Sequence, residues 1–250
     1  MSAADYAGDR VVRIWTWVAR ESRGAPVSLA HVCAALVTGM DVDGAGVSVV
    51  VSPTVREIMC ATNGVATRLE ELQLTFGEGP CVDTFATGGP VLVMDLRVPE
   101  CAARWPAFTP AALDQGVQAV FALPLQIGAI RLGVLDLYRT SPGGLAPYEL
   151  ADALAFADTA GMLLLDGAAG TPPDTAELAW QRADPTAHQV QVHQATGMII
   201  VQLGVSAEAA FARLRAYAYV HDRTLGDVAR DVVERRLRLT PEPPDGADHR

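Results

Sequence analysis

Small, rigid and polar, the stretch GAAGTPPD at 167–174 separates two regions that follow different hydrophobic periods. Before it, VQAVFALPLQIG and IRLGVLDLYRT read as two strands around a tight turn. After it, apolar residues recur at helical spacing. The break restricts the chain to two cores, one mixed and one all-helical, and 250 residues leave room for both. Half the residues are apolar and 19% are charged, so each part has the material for a packed interior.

The first part opens with a helix over 9–20, with Val12, Trp15, and Val18 or Ala19 near one face, and a second helix that Ser28 caps and that runs to about Met40. GAGVSVVVS reads as a strand and EIMCATN as its hairpin partner. VATRLEELQ is a short helix, and GEGPCVDTFATGGP places another between glycines. VLVMDL is a strand, CAARWPAFTPAALDQG a loop and helix, and a long helix over APYELADALAFADTAGMLLLD follows the antiparallel pair. This order predicts an α+β fold, an antiparallel sheet with flanking helices. The expected organisation is an N-terminal helix in 1–27, a sensory domain at 28–166, a linker and connecting helix at 167–184, a helical domain at 185–239 and a disordered tail at 240–250. Asp174 with Glu177 would cap the connecting helix, and Asp184-Pro185 would open the helical domain.

Several classes fall away on composition. The four cysteines, Cys33, Cys60, Cys81 and Cys101, form no CxxC pair, which argues against a zinc module or a disulfide scaffold. They read as free thiols in a reducing compartment, with no metal bound. No apolar run is long enough to span a bilayer, and MSAADYAGDR has no signal core, so the expected location is the cytoplasm, with no membrane partner. The net charge of −10 is uneven: 11 arginines against 21 acids over 1–184, but 7 against 5 over 185–240. There is no lysine. A mildly basic segment behind an acidic body points to an anionic partner for the segment.

The helical part reads as three helices. The first carries His188, Val192, Ala195, Ile199 and Leu203 on one stripe; Gly204 stops it. Ser206 caps the second, with Ala210, Phe211, Leu214, Ala218 and His221 inward. Thr224 and Asp227 form a capping box for the third, whose inner face is Leu225, Val228, Ala229, Val232 and Val233. One residue resists this pattern. Gly197 sits in mid-helix, where glycine costs roughly 1 kcal/mol against alanine. Either the bundle needs close helix crossing there, or a partner does.

The stretch QATGMIIVQLGVSAEAAFARLRAYAYVHDRTLGDVARDVV closely resembles the ANTAR domain, the RNA-binding module of bacterial transcription antiterminators. Ala195, Gly197, Gly204, Ser206, Ala210-Phe211, Leu214, Ala218, Leu225, Val228-Ala229 and Val232 carry the resemblance. It implies an RNA face, which we assign to Gln194, Thr196, Gly197, Arg213, Arg215, Tyr217, Arg223 and Arg230, because loop bases stack on aromatics and guanidinium planes. Where the family has a lysine between the small residues, this chain has Thr196, a hydroxyl in place of a charge. Arg235 and Arg238 are expected to pair with Asp231 and Glu234 instead of facing RNA.

FGEGPCVDTFATGGPVLVMDL and RWPAFTPAALDQGVQAVFALPLQIGAIRLGVLDLYR resemble the GAF domains that precede ANTAR domains in actinobacterial regulators, and the all-arginine basic set agrees with such a genome. The resemblance implies a sensory α+β module with a ligand pocket on one sheet face. Glu78, Cys81, Asp83, Arg104, Trp105 and Phe121 are the expected linings for an unidentified small molecule. The lysine-containing signature of the cyclic-nucleotide binders is absent, and His31, the domain's single histidine, reads as a packed or surface residue, not a haem ligand; no cofactor is expected. Together the two resemblances imply a homodimeric regulator, not an enzyme, that binds paired stem-loops in nascent mRNA and acts by antitermination. Two alternatives remain: a protein-docking module, and a thiol-dependent methionine sulfoxide reductase using Cys81, whose place at a helix start would lower its pKa. Recognition of DNA by a helix-turn-helix is disfavoured by the acids in LGDVARDVVERR.

Overall fold

The computed structural model describes residues 3–52, 55–169 and 187–240. The chain divides into two compact units, Met1–Pro185 and Thr186–Arg250. The expected connecting helix and the capping pair Asp184-Pro185 lie outside the described residues, as does the tail beyond 240. No single helix among the described residues is long and apolar enough to cross a membrane.

In the first unit, α1 (Ala3–Ser22) and α2 (Leu29–Gly39) precede the hairpin β1 (Gly44–Ser52) and β2 (Val55–Ala61). Four helices and a short strand follow: α3 (Gly64–Phe76), α4 (Pro80–Thr87), β3 (Val91–Val93), α5 (Pro99–Arg104) and α6 (Phe108–Asp114). The hairpin β4 (Ala119–Ile127) and β5 (Ile130–Arg139) and the long helix α7 (Pro147–Ala169) complete it. The five strands form one antiparallel sheet in the order β2-β1-β5-β4-β3. The closing hairpin therefore supplies the centre of the sheet, and its strands must be covered on both faces.

Side-chain alternation decides what each face holds. Ala45, Val47, Val49, Phe121, Leu123, Leu125, Leu135 and Leu137 share one core with Ile14, Val18, Val32, Leu36 and Phe156 of α1, α2 and α7. Trp17 stacks on Phe156 at 6.1 Å, and Asp152 of α7 takes hydrogen bonds from Arg10 and Arg13 of α1. The alternate positions turn to the other face, where Val120 and Tyr138 pack with Leu69 and Leu72 of α3 and with Trp105 and Phe108. Cys81 of α4 joins Ala122 and Val134 there.

Two segments differ from the sequence reading. The third strand is only three residues, because after Val93 a single backbone bond, Leu96 N–H to Gln118 O, continues the pairing. The loop before α6 contains a helix of its own, α5, which Trp105, Pro106 and Ala107 separate from α6.

The second unit is a three-helix bundle of α8 (Ala187–Leu203), α9 (Ala207–Val220) and α10 (Leu225–Val233). Gly204 takes φ +64 and closes α8. Ser206 accepts from Ala209 N–H, and Thr224 accepts from Asp227 N–H while its hydroxyl donates to the Asp227 carboxylate. The core is Ala195, Ile199, Ala210, Phe211, Leu214, Ala218, Leu225, Val228, Ala229 and Val232. His221, expected on the inner face of α9, is exposed and stacks on Tyr217 at 3.8 Å. It lies just past the last helical turn, too late to face the core.

At Gly133, where β5 meets β1, an added Cβ would lie 2.1 Å from the Ser48 carbonyl oxygen, a backbone atom that cannot yield. Gly133→Ala should therefore push the central strands apart and lower unfolding stability by about 1–3 kcal/mol, read by urea denaturation; an unchanged midpoint would refute this account of the close approach.

Candidate functional site

Two regions carry chemistry, one in each unit. In the helical unit, α8 turns Ala195 and Ile199 into the bundle and Gln194, Gly197 and Val201 outward, Val201 being 85% exposed. Gln194, Gly197, Met198, Val201 and Gln202 form one wall of an open groove of about 930 Å³. Val233, Arg235, Leu237 and Arg238 form the other. A Cβ built on Gly197 meets no atom within 4 Å, so packing inside the bundle does not require the glycine. The helix is bare of side chain at the floor of the groove.

Charge balance separates the arginines. Arg223 bonds Asp231 at 2.7 Å and the carbonyl of Asp227 at 3.3 Å. Arg230 pairs with Asp227 at 3.1 Å. Arg236 holds Asp231 at 2.7 Å and also Glu234. Asp231, flanked by Arg223 and Arg236, has its pKa lowered by both. The pairing expected for Arg235 and Arg238 is thus taken by other arginines. The reason is local: α10 ends at Val233, and Arg235 turns to φ +59, which breaks the i,i+4 spacing. Among the described residues, Arg213, Arg235 and Arg238 enter no ion pair.

The expected RNA residues are therefore distributed unevenly. Gln194 and Gly197 line the groove. Thr196 is half-buried and its hydroxyl donates to the Val192 carbonyl at 2.8 Å, which leaves the oxygen only as an acceptor. On α9, Arg213, Arg215 and Tyr217 are half-buried; Arg215 lies over the Phe211 ring at 6.0 Å. None of these α9 residues lines the groove. Arg235 and Arg238, set aside on the sequence, do. The clue available was the helix end, which neither glycine nor proline marks.

In the first unit, the expected ligand residues fall into three places. Glu78 accepts from the backbone N–H groups of Ala107 and Phe108 at 2.6 and 2.9 Å. Asp83 accepts from Arg104 at 2.7 Å and from the Trp105 indole at 3.0 Å. These residues latch α4 to the α5–α6 segment. Phe121 lies on the opposite sheet face, in the core under α1, α2 and α7, with the Arg139 guanidinium 5.6 Å from its ring centre.

Cys81 belongs to a buried polar cluster that the sequence reading did not single out. Its backbone N–H donates to Gln73 Oε1 at 2.7 Å, and Gln73 Nε2 donates to Asp136 Oδ2 at 3.3 Å. Its Sγ contacts Ser48 Oγ at 3.3 Å and Arg56 at 3.4 Å. Glu70, Cys81 and Asp136 each bring a ligand atom within 4.8 Å of the others, a donor set that could hold a cation; Arg56 already brings positive charge to it. Burial drives the protonation of all three. It raises Glu70 well above the usual range, with Asp136 adding to the effect, and lifts Asp136 to about 6. The Cys81 thiol is also raised, first by burial and then by the two acids, opposite to the lowering expected at a helix start. The signal in the sequence was Asp136 itself, an acid in the alternating strand VLDLY. His31, for its part, closes the cap of α2, its Nδ1 accepting from Ser28 N–H at 3.1 Å.

Comparison with known proteins agrees with both units. A family model described as GAF domain matches residues 24–164, and one described as ANTAR domain matches residues 186–233. Among solved structures, the GAF domain from a phosphoenolpyruvate-protein phosphotransferase of Coxiella burnetii is 17% identical, with TM-score 0.50, covering 64% of this chain and 96% of that one. The GAF domain from the Acinetobacter phosphoenolpyruvate-protein phosphotransferase is 14% identical, with TM-score 0.48, covering 68% and 98%. No curated protein matches the chain.

The raised acids make stability fall with pH. An unfolded Asp136 ionises near pH 4, roughly, whereas the folded one holds its proton until about 6. Its contribution is complete below the first value and is lost as pH rises through the second. In Asp136→Asn the stability difference from wild type should therefore shift in favour of the variant by on the order of 3 kcal/mol across that window. Urea titrations at stepped pH measure it, and parallel curves would contradict the assignment.

Proposed function

Because the chain belongs to the GAF domain family and carries an ANTAR domain over 186–233, we propose that it is a signal-responsive regulator whose helical domain binds RNA. In this reading residues 28–166 sense, residues 185–239 bind paired stem-loops in nascent mRNA, and the bound hairpins exclude a terminator. The protein catalyses nothing and works in the cytoplasm as a homodimer.

The observation that carries this reading is the groove on the bundle. An exposed mid-helix glycine with nothing near its missing Cβ faces Arg235 and Arg238, neither of which enters an ion pair among the described residues. A loop base can lie against bare backbone and Met198 while guanidinium groups take the phosphates, and stacking contributes about 1–3 kcal/mol per base. We extend the RNA face accordingly. Gln194, Gly197, Arg235 and Arg238 form its centre, and Arg213, Arg215 and Tyr217 flank it. Arg223 and Arg230 would have to exchange carboxylates for phosphates, and Thr196 can accept a hydrogen bond from a base.

On the sensory side, a small molecule entering beside α4 would part Asp83 from Arg104 and Trp105 and reach the Cys81–Asp136 cluster. Dimerisation draws support from apolar residues left exposed on α1 and α7, among them Val12 at 66%, Met162 at 44% and Leu165 at 39%.

Three outcomes are expected. Arg235→Ala and Arg238→Ala should each weaken binding to tandem stem-loop RNA several-fold and lower the salt slope by about one, with circular dichroism unchanged. Gly197→Ala should weaken it too while raising unfolding stability by about 1 kcal/mol; affinity untouched in all three would overturn the RNA reading in favour of protein docking. Val12→Asp should convert a dimer into folded monomers in sedimentation, and a dimer that survives would remove α1 from the interface.

A further inference from the structure

Cys33 and Cys60 come closer than any role described so far requires. Their Sγ atoms are 2.7 Å apart, across a sequence separation of 27. Both are free thiols. The contact is tighter than a hydrogen bond between thiols needs, and closing it to a bond of about 2.05 Å takes well under 1 Å of movement. Cys81 and Cys101 have different neighbours: Ser48 and Arg56 for the one, the Asp95 carbonyl for the other.

The two thiols differ in a way that assigns them roles. Cys60 sits on β2, an edge strand of the sheet, and is half-buried. Cys33 is 1% exposed, inside α2, and its pKa is raised by its bond to Cys60 and by burial. Of the two residues, Cys60 is the one with solvent exposure, and so the one placed to meet a soluble oxidant. The pairing of β1 with β2 shifts register between Val47–Cys60 and Ser48–Ile58, which places an irregular backbone step beside Cys60. A bulge of this kind disrupts the ladder locally and bends the strand.

We propose that Cys33 and Cys60 form a site of reversible oxidation by hydroperoxides, which closes into a disulfide tying helix α2 to the edge strand β2. The Cys60 sulfur attacks the terminal peroxide oxygen; the O–O bond breaks, an alcohol or water leaves, and a sulfenic acid remains. The Cys33 sulfur then attacks the Cys60 sulfur, the S–O bond breaks and water leaves. Two thiols lose one electron pair to the peroxide, and a dithiol reductant returns it. The bridge would fasten α2, which packs on α1, α7 and the sheet, to an edge strand that has a sheet neighbour on one side only.

The test uses the full chain and hydrogen peroxide as the probe. Reduced protein should titrate four thiols after denaturation, and peroxide-treated protein two, with a mass lower by two hydrogens. Peptide mapping should recover one crosslink, between residues 33 and 60, which a dithiol removes. The oxidised form should melt at a higher temperature than the reduced form. In Cys33→Ser the reaction should stop at a sulfenic acid on Cys60 that dimedone traps; should that variant fail to fold, the wild-type crosslink map alone decides. Four thiols persisting after peroxide, or a crosslink that involves Cys81, Cys101 or a second chain, would overturn the proposal.

Discussion

A carboxyl on a central strand, with helices over both faces of its sheet, cannot stay charged without partners, and this requirement organises the first unit. Asp136 is 2% exposed, and its Oδ1 has no hydrogen-bond partner among the described residues. A bare carboxylate there would cost several kcal/mol. The structure answers with a buried Glu70 whose pKa burial and Asp136 raise, with Gln73, and with Arg56 near the edge. Gly46 is part of the same answer. A Cβ at that position would lie 2.6 Å from Glu70 Oε1, so the strand gives up a side chain to admit the acid.

The same cluster fixes helices to the sheet. Gln73 spends one end on Asp136 and the other on the first turn of α4, so one side chain positions α3, α4 and β5 together. Glu78 and Asp83 extend the tie from α4 to α5 and α6. The helices over this face are joined by these polar bonds as well as by apolar packing around Leu69, Trp105 and Phe108, whereas the sheet contact of the opposite face is apolar, around Phe121, Leu135 and Phe156. Apolar packing is indifferent to a single proton or a small polar ligand. A hydrogen-bonded cluster is not, because each partner lost leaves a buried polar atom unsatisfied. That asymmetry sets the α3–α4 face, with its buried Cys81–Asp136 cluster, apart from the other in its sensitivity to a proton.

Much of this was legible in the sequence, for physical reasons that also mark where legibility stopped. Alternation and glycine punctuation identified the paired strands, and Ser28, Ser206 and Thr224 marked three helix starts, because capping is local chemistry. Phe121 was misplaced relative to Cys81 because the face of a strand residue depends on pleat parity, and one step reverses it. The Glu70–Asp136 pair joins residues far apart in sequence and has no spacing to detect. Arg235 and Arg238 were assigned to ion pairs by helical spacing, which holds only inside a helix; the chain leaves the helix at Val233 and redistributes the acids among other arginines.

Gly197 shows how the two halves of such reasoning meet. Sequence alone establishes that the residue is costly in a helix, and two explanations remain: contact within the bundle or contact beyond it. Structure removes the first, since nothing in the bundle approaches the position. Gly197 weakens its own helix and shares a groove with an exposed Val201 and with Arg235 and Arg238, which enter no ion pair among the described residues. Features that a fold tolerates at its own expense are where function is to be sought. On the proposed reading, Gly197 leaves the backbone of α8 within reach of a partner, and the charge beside it suits an anionic one.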